Sequence, residues 1–301
     1  MKIGVVGLGK MGLNLALNMK TKGYEVIGYD ISEDVLYYAI NNGIEVKFTP
    51  SDLAKGLCVP KVLWLMLPSY GNAVDEAIKT FFPLLEEGDI VVDAGNSDYR
   101  ETQRRYQYLK SKGIRFADIG VSGGLEGARN GICAMVGADR DVFEYLEPLL
   151  KDICVEGGYL HTGPCGSGHY VKMIHNGIEY AMMQAIGEGM ELLAEGPFEL
   201  NLEAIAGLWC HGSIIRGWLM ELTQRILAAD PELQGISDVI QHTGEGLWTV
   251  REALEREIPI PVISGSLMVR FRSLQKESFS GKIVAALRRE FGGHLPPKKD
   301  A

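Results

Sequence analysis

A chain of 301 residues is long enough for about two domains, each able to bury an ordinary core without disulfide or metal staples. Its 46% hydrophobic and 23% charged residues are ordinary for a globular protein, and the formal net charge of -9 argues against nucleic acid or an anionic membrane as main partner, because counterion release needs clustered Lys and Arg. Five cysteines (58, 133, 154, 165 and 210) without a C-x-x-C pair suggest neither a disulfide framework nor a metal site; the most apolar run, Val62 to Pro68, is far shorter than the ~20 residues of a membrane span; and no leader precedes the first glycine loop, so a cytoplasmic protein is expected.

In chain order, Lys2 to Val6 is a short strand followed at once by Gly7-Leu8-Gly9-Lys10-Met11-Gly12 and an amphipathic helix with Met11, Leu15, Leu17 and Met19 apolar. This is G-x-G-x-x-G between strand and helix, the pattern that seats a pyrophosphate on a helix N-terminus. A second strand, Glu25 to Tyr29, ends at Asp30, about 20 residues beyond the loop, where a carboxylate can accept from ribose hydroxyls. With Ile31, Ser32 and Glu33 following and no arginine, Asp30 favours NAD over NADP. It could instead cap the helix over 33–41, a task for which Ser32 is the better candidate.

Strand and helix signals then alternate. Strands are expected at Ile44 to Phe48, Lys61 to Leu67, Asp89 to Asp93, Arg115 to Ile119 and Ile132 to Val136. Helices are expected over Ser51 to Gly56, Asn72 to Leu85, Tyr99 to Lys110 and Asp139 to Leu150, with Pro68-Ser69-Tyr70-Gly71 as a turn. Such βα alternation predicts a doubly wound parallel sheet of Rossmann type, with ligands beyond the carboxyl ends of its strands. Leu67, Pro68 and Asn96 therefore fall where a cofactor would lie. The loop Gly120 to Ala128, with Gly120, Gly123, Gly124 and Gly127, can turn backbone N–H groups, and the hydroxyl of Ser122, toward a carboxylate. A flexible surface loop would have the same composition, and Asn96 could equally cap the next helix, as could Ser97 or Asp98. An extended segment begins at Cys154 and ends at His161-Thr162-Gly163-Pro164, where His161 is an isolated histidine read as structural.

Past Gly166-Ser167-Gly168 the pattern becomes helical throughout: 168–195, 202–228, 235–241, 245–256, 262–273 and 279–291. The shift marks two domains, 1–165 for the nucleotide and 166–301 all-helical. In the first of these helices Lys172, His175, Asn176, Glu179 and Tyr180 share one face. Such a face is either solvated or a proton-transfer site. Gly187 and Gly189 are poor helix formers and imply close packing of that helix's second half. Pro296-Pro297-Lys298-Lys299 reads as a loose end.

Four blocks in order carry a family resemblance: Gly7 to Gly12, Asp93-Ala-Gly-Asn-Ser-Asp-Tyr-Arg-Glu-Thr102, Gly120-Val-Ser-Gly-Gly124 and Val171-Lys-Met-Ile-His-Asn-Gly-Ile-Glu-Tyr180. The chain resembles the 6-phosphogluconate dehydrogenases within the β-hydroxyacid dehydrogenases, and most of all their short, NAD-preferring bacterial form. That resemblance implies oxidative decarboxylation of 6-phosphogluconate to ribulose 5-phosphate and CO₂ with reduction of NAD, a step of the pentose phosphate pathway and gluconate utilisation. Lys172 would be the base at the C3 hydroxyl and Glu179 the acid at the enol carbon. Asn96, Ser122, Gly123, Gly124, His175, Asn176, Tyr180 and Arg270 would hold the sugar acid. A homodimer or homotetramer through the helical domain is implied as well. The pattern departs at the phosphate end, where Thr243 and Glu245 align with the family's lysine and threonine. A carboxylate repels a phosphate dianion, so Glu245 should turn away, meet a hydroxyl or mark another substrate. The alternatives are a non-decarboxylating dehydrogenase of another hydroxy acid and a non-catalytic, NAD-responsive binding protein.

Overall fold

The computed structural model describes residues 1–69 and 71–292; Tyr70 of the expected turn and the loose end at 296–299 lie outside them. Its elements are β1 (Lys2–Val6), α1 (Lys10–Thr21), β2 (Glu25–Tyr29), α2 (Glu33–Asn41), β3 (Glu45–Val46), α3 (Pro50–Gly56), β4 (Val62–Leu65), α4 (Ala73–Phe81) and β5 (Ile90–Asp93). They continue with α5 (Tyr99–Lys110), β6 (Arg115–Ser122), α6 (Gly124–Asn130), β7 (Ile132–Ala138), α7 (Arg140–Ile153), β8 (Cys154–Gly163) and α8 (Ser167–Ala194). Among the described residues only helices follow: α9 (Leu202–Trp209), α10 (Trp218–Ala229), α11 (Glu245–Glu255), α12 (Pro261–Ser273) and α13 (Phe279–Gly292).

Eight strands form one sheet in the order β3-β2-β1-β4-β5-β6-β7-β8. The chain reverses direction across the sheet between β1 and β4, the switch point at which such sheets bind dinucleotides. Side chains of the central strands alternate between two cores. Val62, Trp64, Ile90 and Val92 join one cluster, while Leu63, Leu65 and Val91 join the other. Both faces are therefore covered by helices, which is why these strands read as unbroken apolar runs.

The sheet is not wholly parallel, as the alternation alone suggested: β6 and β7 pair antiparallel, with Gly120 opposite Met135 and Ser122 opposite Cys133. Because of this pairing β6 runs on to Ser122 instead of stopping at Ile119. Part of the expected glycine loop is also helical, the short α6. Positive φ at Gly123 (122°) and Gly124 (59°) makes the sharp turn between them, a conformation that side chains resist. Expected strand β3 shortens to two residues, and the single helix expected over 202–228 is two, α9 and α10, parted at Gly212 with φ of 70°. Residues 235–241 form no helix.

Packing divides the chain into two units, Met1–Glu179 with Thr243–Pro259, and Tyr180–His242 with Ile260–Ala301. The expected boundary at 165 follows the change in local pattern; the packing boundary instead keeps the first half of α8 and all of α11 with the sheet. Thr249 of α11 donates to the Met173 carbonyl of α8 at 2.8 Å, and a Cβ at Gly177 would stand 2.8 Å from the Thr249 methyl. Buried Glu252 accepts from Tyr99 (2.9 Å) and Arg100 (2.7 Å) of α5. In the second unit α9 and α10 close on Ala206, Met220 and Leu227. Among the described residues no neighbour lies within 4 Å of a Cβ built at Gly187 or Gly189, so the close packing inferred from those glycines is not found there.

Candidate functional site

The glycine loop has the shape its spacing predicts. A Cβ at Gly7 would meet the Met66 carbonyl at 2.4 Å and one at Gly12 the Gly7 carbonyl at 1.9 Å, whereas one at Gly9 would meet nothing within 4 Å. Gly7 and Gly12 thus close strand onto helix, and Gly9 leaves open space in front of the α1 N-terminus. That terminus has no side-chain cap and no acidic residue in its first turn, so its N–H groups are available to an anion. Leu8 is buried in the core, and only its N–H reaches toward the site, donating to Asp30 Oδ2 at 2.8 Å. The other Asp30 oxygen accepts from Ser32 N at 3.0 Å. The carboxylate is aimed by these two bonds and caps nothing; Ser32 precedes α2 but its side chain makes no cap bond either.

A cavity of about 360 Å³ opens from this loop and is lined by Gly9, Lys10, Met11, Gly12, Leu67, Pro68 and Asn96, all sequence-predicted, together with Met66, Ser69, Ala94, Gly95, Val121, Thr243 and Glu245. Asn96 is held between two bonds to one buried carboxylate. Asp93 accepts from Gly95 N (3.2 Å) and from the Ser97 hydroxyl (2.8 Å), and Arg105 braces Ser97 at 3.0 Å. Asp98 rather than Asn96 caps α5, accepting from Arg100 N at 2.9 Å.

Helix α8 is seated on the sheet by backbone contact. Asp118, fully buried in β6, accepts from Gly166 N (2.5 Å) and His169 N (2.8 Å) at the helix start, and a Cβ at Gly168 would stand 2.4 Å from the Met135 carbonyl. One turn further on, Lys172 lies against Gly120, where an added Cβ would come within 2.3 Å of the lysine's own Cβ. Lys172, Asn176 and Tyr180 are buried, so this side of α8 is no solvated face. Burial pushes the Lys172 ammonium below the usual lysine range, against the pull of the Glu179 and Glu245 carboxylates and of Cys133. Desolvation is thus the cause that outweighs the rest, as a lysine base near neutral pH requires.

Around it, His175 Nε2 meets the Ser122 hydroxyl at 3.1 Å and Nδ1 meets Asn176 Oδ1 at 3.0 Å. The same Nδ1 also lies 3.5 Å from Lys172 Nζ. The Glu179 carboxylate lies 3.8 Å from Nδ1, its side chain 38% exposed. His175 therefore links the β6 hydroxyl to the acid one turn along. Glu245 is 2% exposed and accepts from the Thr243 hydroxyl, so of the outcomes open to it the structure chooses contact with a hydroxyl. Arg270 belongs to the second unit, where its guanidinium stacks 3.5 Å over the Tyr180 ring and donates to the Gln241 carbonyl at 2.9 Å.

Asp118 escaped the sequence reading as a site residue, and Gly120, expected only within an anion-binding loop, lies against Lys172. A carboxylate inside the apolar run Phe116-Ala117-Asp118-Ile119 was the available signal for the first, since such a group is buried only when hydrogen-bonded. His161, read as structural, is: it bonds the Ala138 carbonyl at 2.9 Å and stacks on Phe143. Cys165 is buried, and its burial pushes the thiol far above the usual range, which leaves it inert as a nucleophile.

A dinucleotide sheet with a desolvated lysine at its strand ends defines the class, a nicotinamide-dependent oxidoreductase. Residues 2–162 match the model of the NAD binding domain of 6-phosphogluconate dehydrogenase, and residues 168–290 that of the 6-phosphogluconate dehydrogenase C-terminal domain. The chain belongs to the 6-phosphogluconate dehydrogenase family. It is 48% identical to YqeC of Bacillus subtilis, over 99% of this chain and 100% of that one. It is 40% identical to the NAD(+)-dependent, decarboxylating 6-phosphogluconate dehydrogenase of Haloferax volcanii, over 100% of both chains. Among solved structures, the 6-phosphogluconate dehydrogenase of Plasmodium falciparum superposes with a TM-score of 0.84 at 30% identity, covering 100% of this chain and 67% of that one. No described helix is long and apolar enough to cross a membrane.

Proposed function

We propose that this chain oxidises and decarboxylates 6-phosphogluconate to ribulose 5-phosphate and CO₂, using NAD. The observation that carries the reading is Lys172: buried, lowered in pKa by desolvation, and set on one helix face with Asn176, His175 and Glu179. The similarity to the Haloferax enzyme, whose name states that activity, supports it.

In this mechanism the sugar acid's carboxylate lies at Ser122, Gly123 and Gly124, with its hydroxyls on Asn96, His175 and Asn176. Neutral Lys172 takes the proton of the C3 hydroxyl; NAD, which Gly9, Gly12 and Asp30 would hold, would supply the acceptor for the C3 hydride. The product is a β-keto acid. Lys172, now an ammonium, donates a hydrogen bond to the C3 oxygen, so that the electron pair of the breaking C1–C2 bond has a stabilised destination as CO₂ leaves. Lys172 gives its proton to that oxygen as CO₂ leaves and takes it back as Glu179 protonates C2, so the enol becomes the ketose with Lys172 neutral again and Glu179 ionised. Lys172→Met should abolish turnover and leave NADH binding intact; substantial residual turnover would overturn the assignment of the base.

We further infer that the second unit pairs with another copy of the chain. Its exposed apolar side chains include Leu192, Leu208, Ile214, Val262, Phe279 and Phe291, more than isolated surface residues account for. Light scattering of the purified protein should give a dimer or tetramer mass; a monomer at micromolar concentration would contradict this. A cytoplasmic location belongs to the same reading.

A further inference from the structure

Glu245 stands where the family pattern suggests a phosphate ligand, yet it cannot serve a phosphate. Its carboxylate has one oxygen on the Thr243 hydroxyl, and the other has no hydrogen-bond partner among the described residues. The residue is 2% exposed and lines the cavity that also holds Gly9 to Gly12, Met66 to Ser69 and Ala94 to Asn96. That second oxygen is not among the fully buried polar atoms left without a partner, so it is open to the cavity and able to accept a hydrogen bond from a ligand there. A phosphate brings only acceptors at neutral pH and a like charge. The cavity's other walls are the glycine loop and the loops after β4 and β5. With the pyrophosphate on the α1 N-terminus, the nicotinamide half of the cofactor would lie toward those strand ends. That half carries donors, the carboxamide N–H₂ and the ribose hydroxyls, and in its oxidised form a positive ring.

We propose that Glu245, held by Thr243, is a cofactor-binding residue that accepts a hydrogen bond from the nicotinamide half of NAD. The block that in longer relatives would meet the substrate's phosphate is here turned to the cofactor. This deepens the NAD reading of the cavity and does not depend on which sugar acid is the substrate.

Calorimetric titration without any sugar acid tests it, using NAD and its 3-acetylpyridine analogue, whose methyl ketone lacks the amide N–H. Glu245→Leu removes both acceptor oxygens at similar volume and should weaken NAD about tenfold or more. If the carboxamide is the donor, the analogue binds wild type and variant alike; if a ribose hydroxyl is, both nucleotides weaken equally. Glu245→Gln keeps one acceptor oxygen and should show the same ranking with a smaller loss, so it decides the matter should the leucine variant fail to fold. Unchanged affinity for both nucleotides in a folded variant, with any loss confined to the KM of the sugar acid, would overturn the proposal. Failure of 6-phosphogluconate to turn over in wild type, with the NAD losses intact, would instead overturn only the substrate assignment.

Discussion

Gly120→Ala places a single methyl group against the residue on which the chemistry depends. The new Cβ would lie 2.3 Å from Lys172 Cβ, 3.0 Å from its Cγ and 2.9 Å from the Gly168 carbonyl, against the ~3.5 Å at which carbon atoms make ordinary contact. Neither partner can yield locally: the carbonyl belongs to the first turn of α8, which Asp118 pins to β6, and the Cβ moves only with its helix. A displacement of α8 by about 1 Å is therefore expected, and misplacement on that scale can cost on the order of 100-fold in rate. Overpacking should cost about 1–3 kcal/mol of stability, a fall of a few degrees in Tm. The glycine loop at the other end of the cavity is untouched, so NADH should bind as in wild type. Steady-state kinetics, a thermal melt and an NADH titration read the three effects separately. Turnover within threefold of wild type would refute the reasoning, because Lys172 would then tolerate displacement or α8 would not be fixed.

Other outcomes follow from the same geometry. Because burial lowers the Lys172 pKa and the base must be neutral, kcat/KM should rise with pH and level off well before the ~10.4 of a free lysine; Glu179→Gln, by removing a carboxylate that favours the ammonium, should move that acid limb to lower pH. The same variant should slow protonation of the enol, so that exchange of the product's C1 hydrogen with solvent falls more than hydride transfer does. Asp30→Ala should raise the KM for NAD by about tenfold or more, since a charge-assisted hydrogen bond is lost, and should narrow the gap to NADP; an unchanged NAD to NADP ratio would remove Asp30 from the ribose.

The nucleotide half was legible because its signals are local. Gly7 to Gly12 declares a strand–turn–helix by the positions at which a Cβ cannot fit, and Asp30 falls at the end of the next strand. The polar face of α8 was visible as a spacing; its burial was not, since helical periodicity places residues on a face without saying what covers it. What the chain order hid is nonlocal. Strand direction leaves no mark on a short apolar run, so the antiparallel β6–β7 pair went unseen. Residues 243–259 read as one more helix of the second half, yet Thr249 and Glu252 bind α8 and α5. Apolar periodicity runs through the break between α9 and α10, and only Gly212 hinted at it. For Glu245, alignment by motif supplied the position and a family expectation for its block, but the carboxylate's burial beside the glycine loop came only with three-dimensional structure.

The central claim is a coupled oxidation and decarboxylation, and the most direct measurement of it follows two products from one substrate. Purified enzyme is supplied with 6-phosphogluconate labelled at C1, and NADH formation and labelled CO₂ release are recorded together. Equal amounts, with gluconate turning over far more slowly and NADP reduced less well than NAD, are the predicted result. NADH without CO₂, or preference for the unphosphorylated acid, would contradict it.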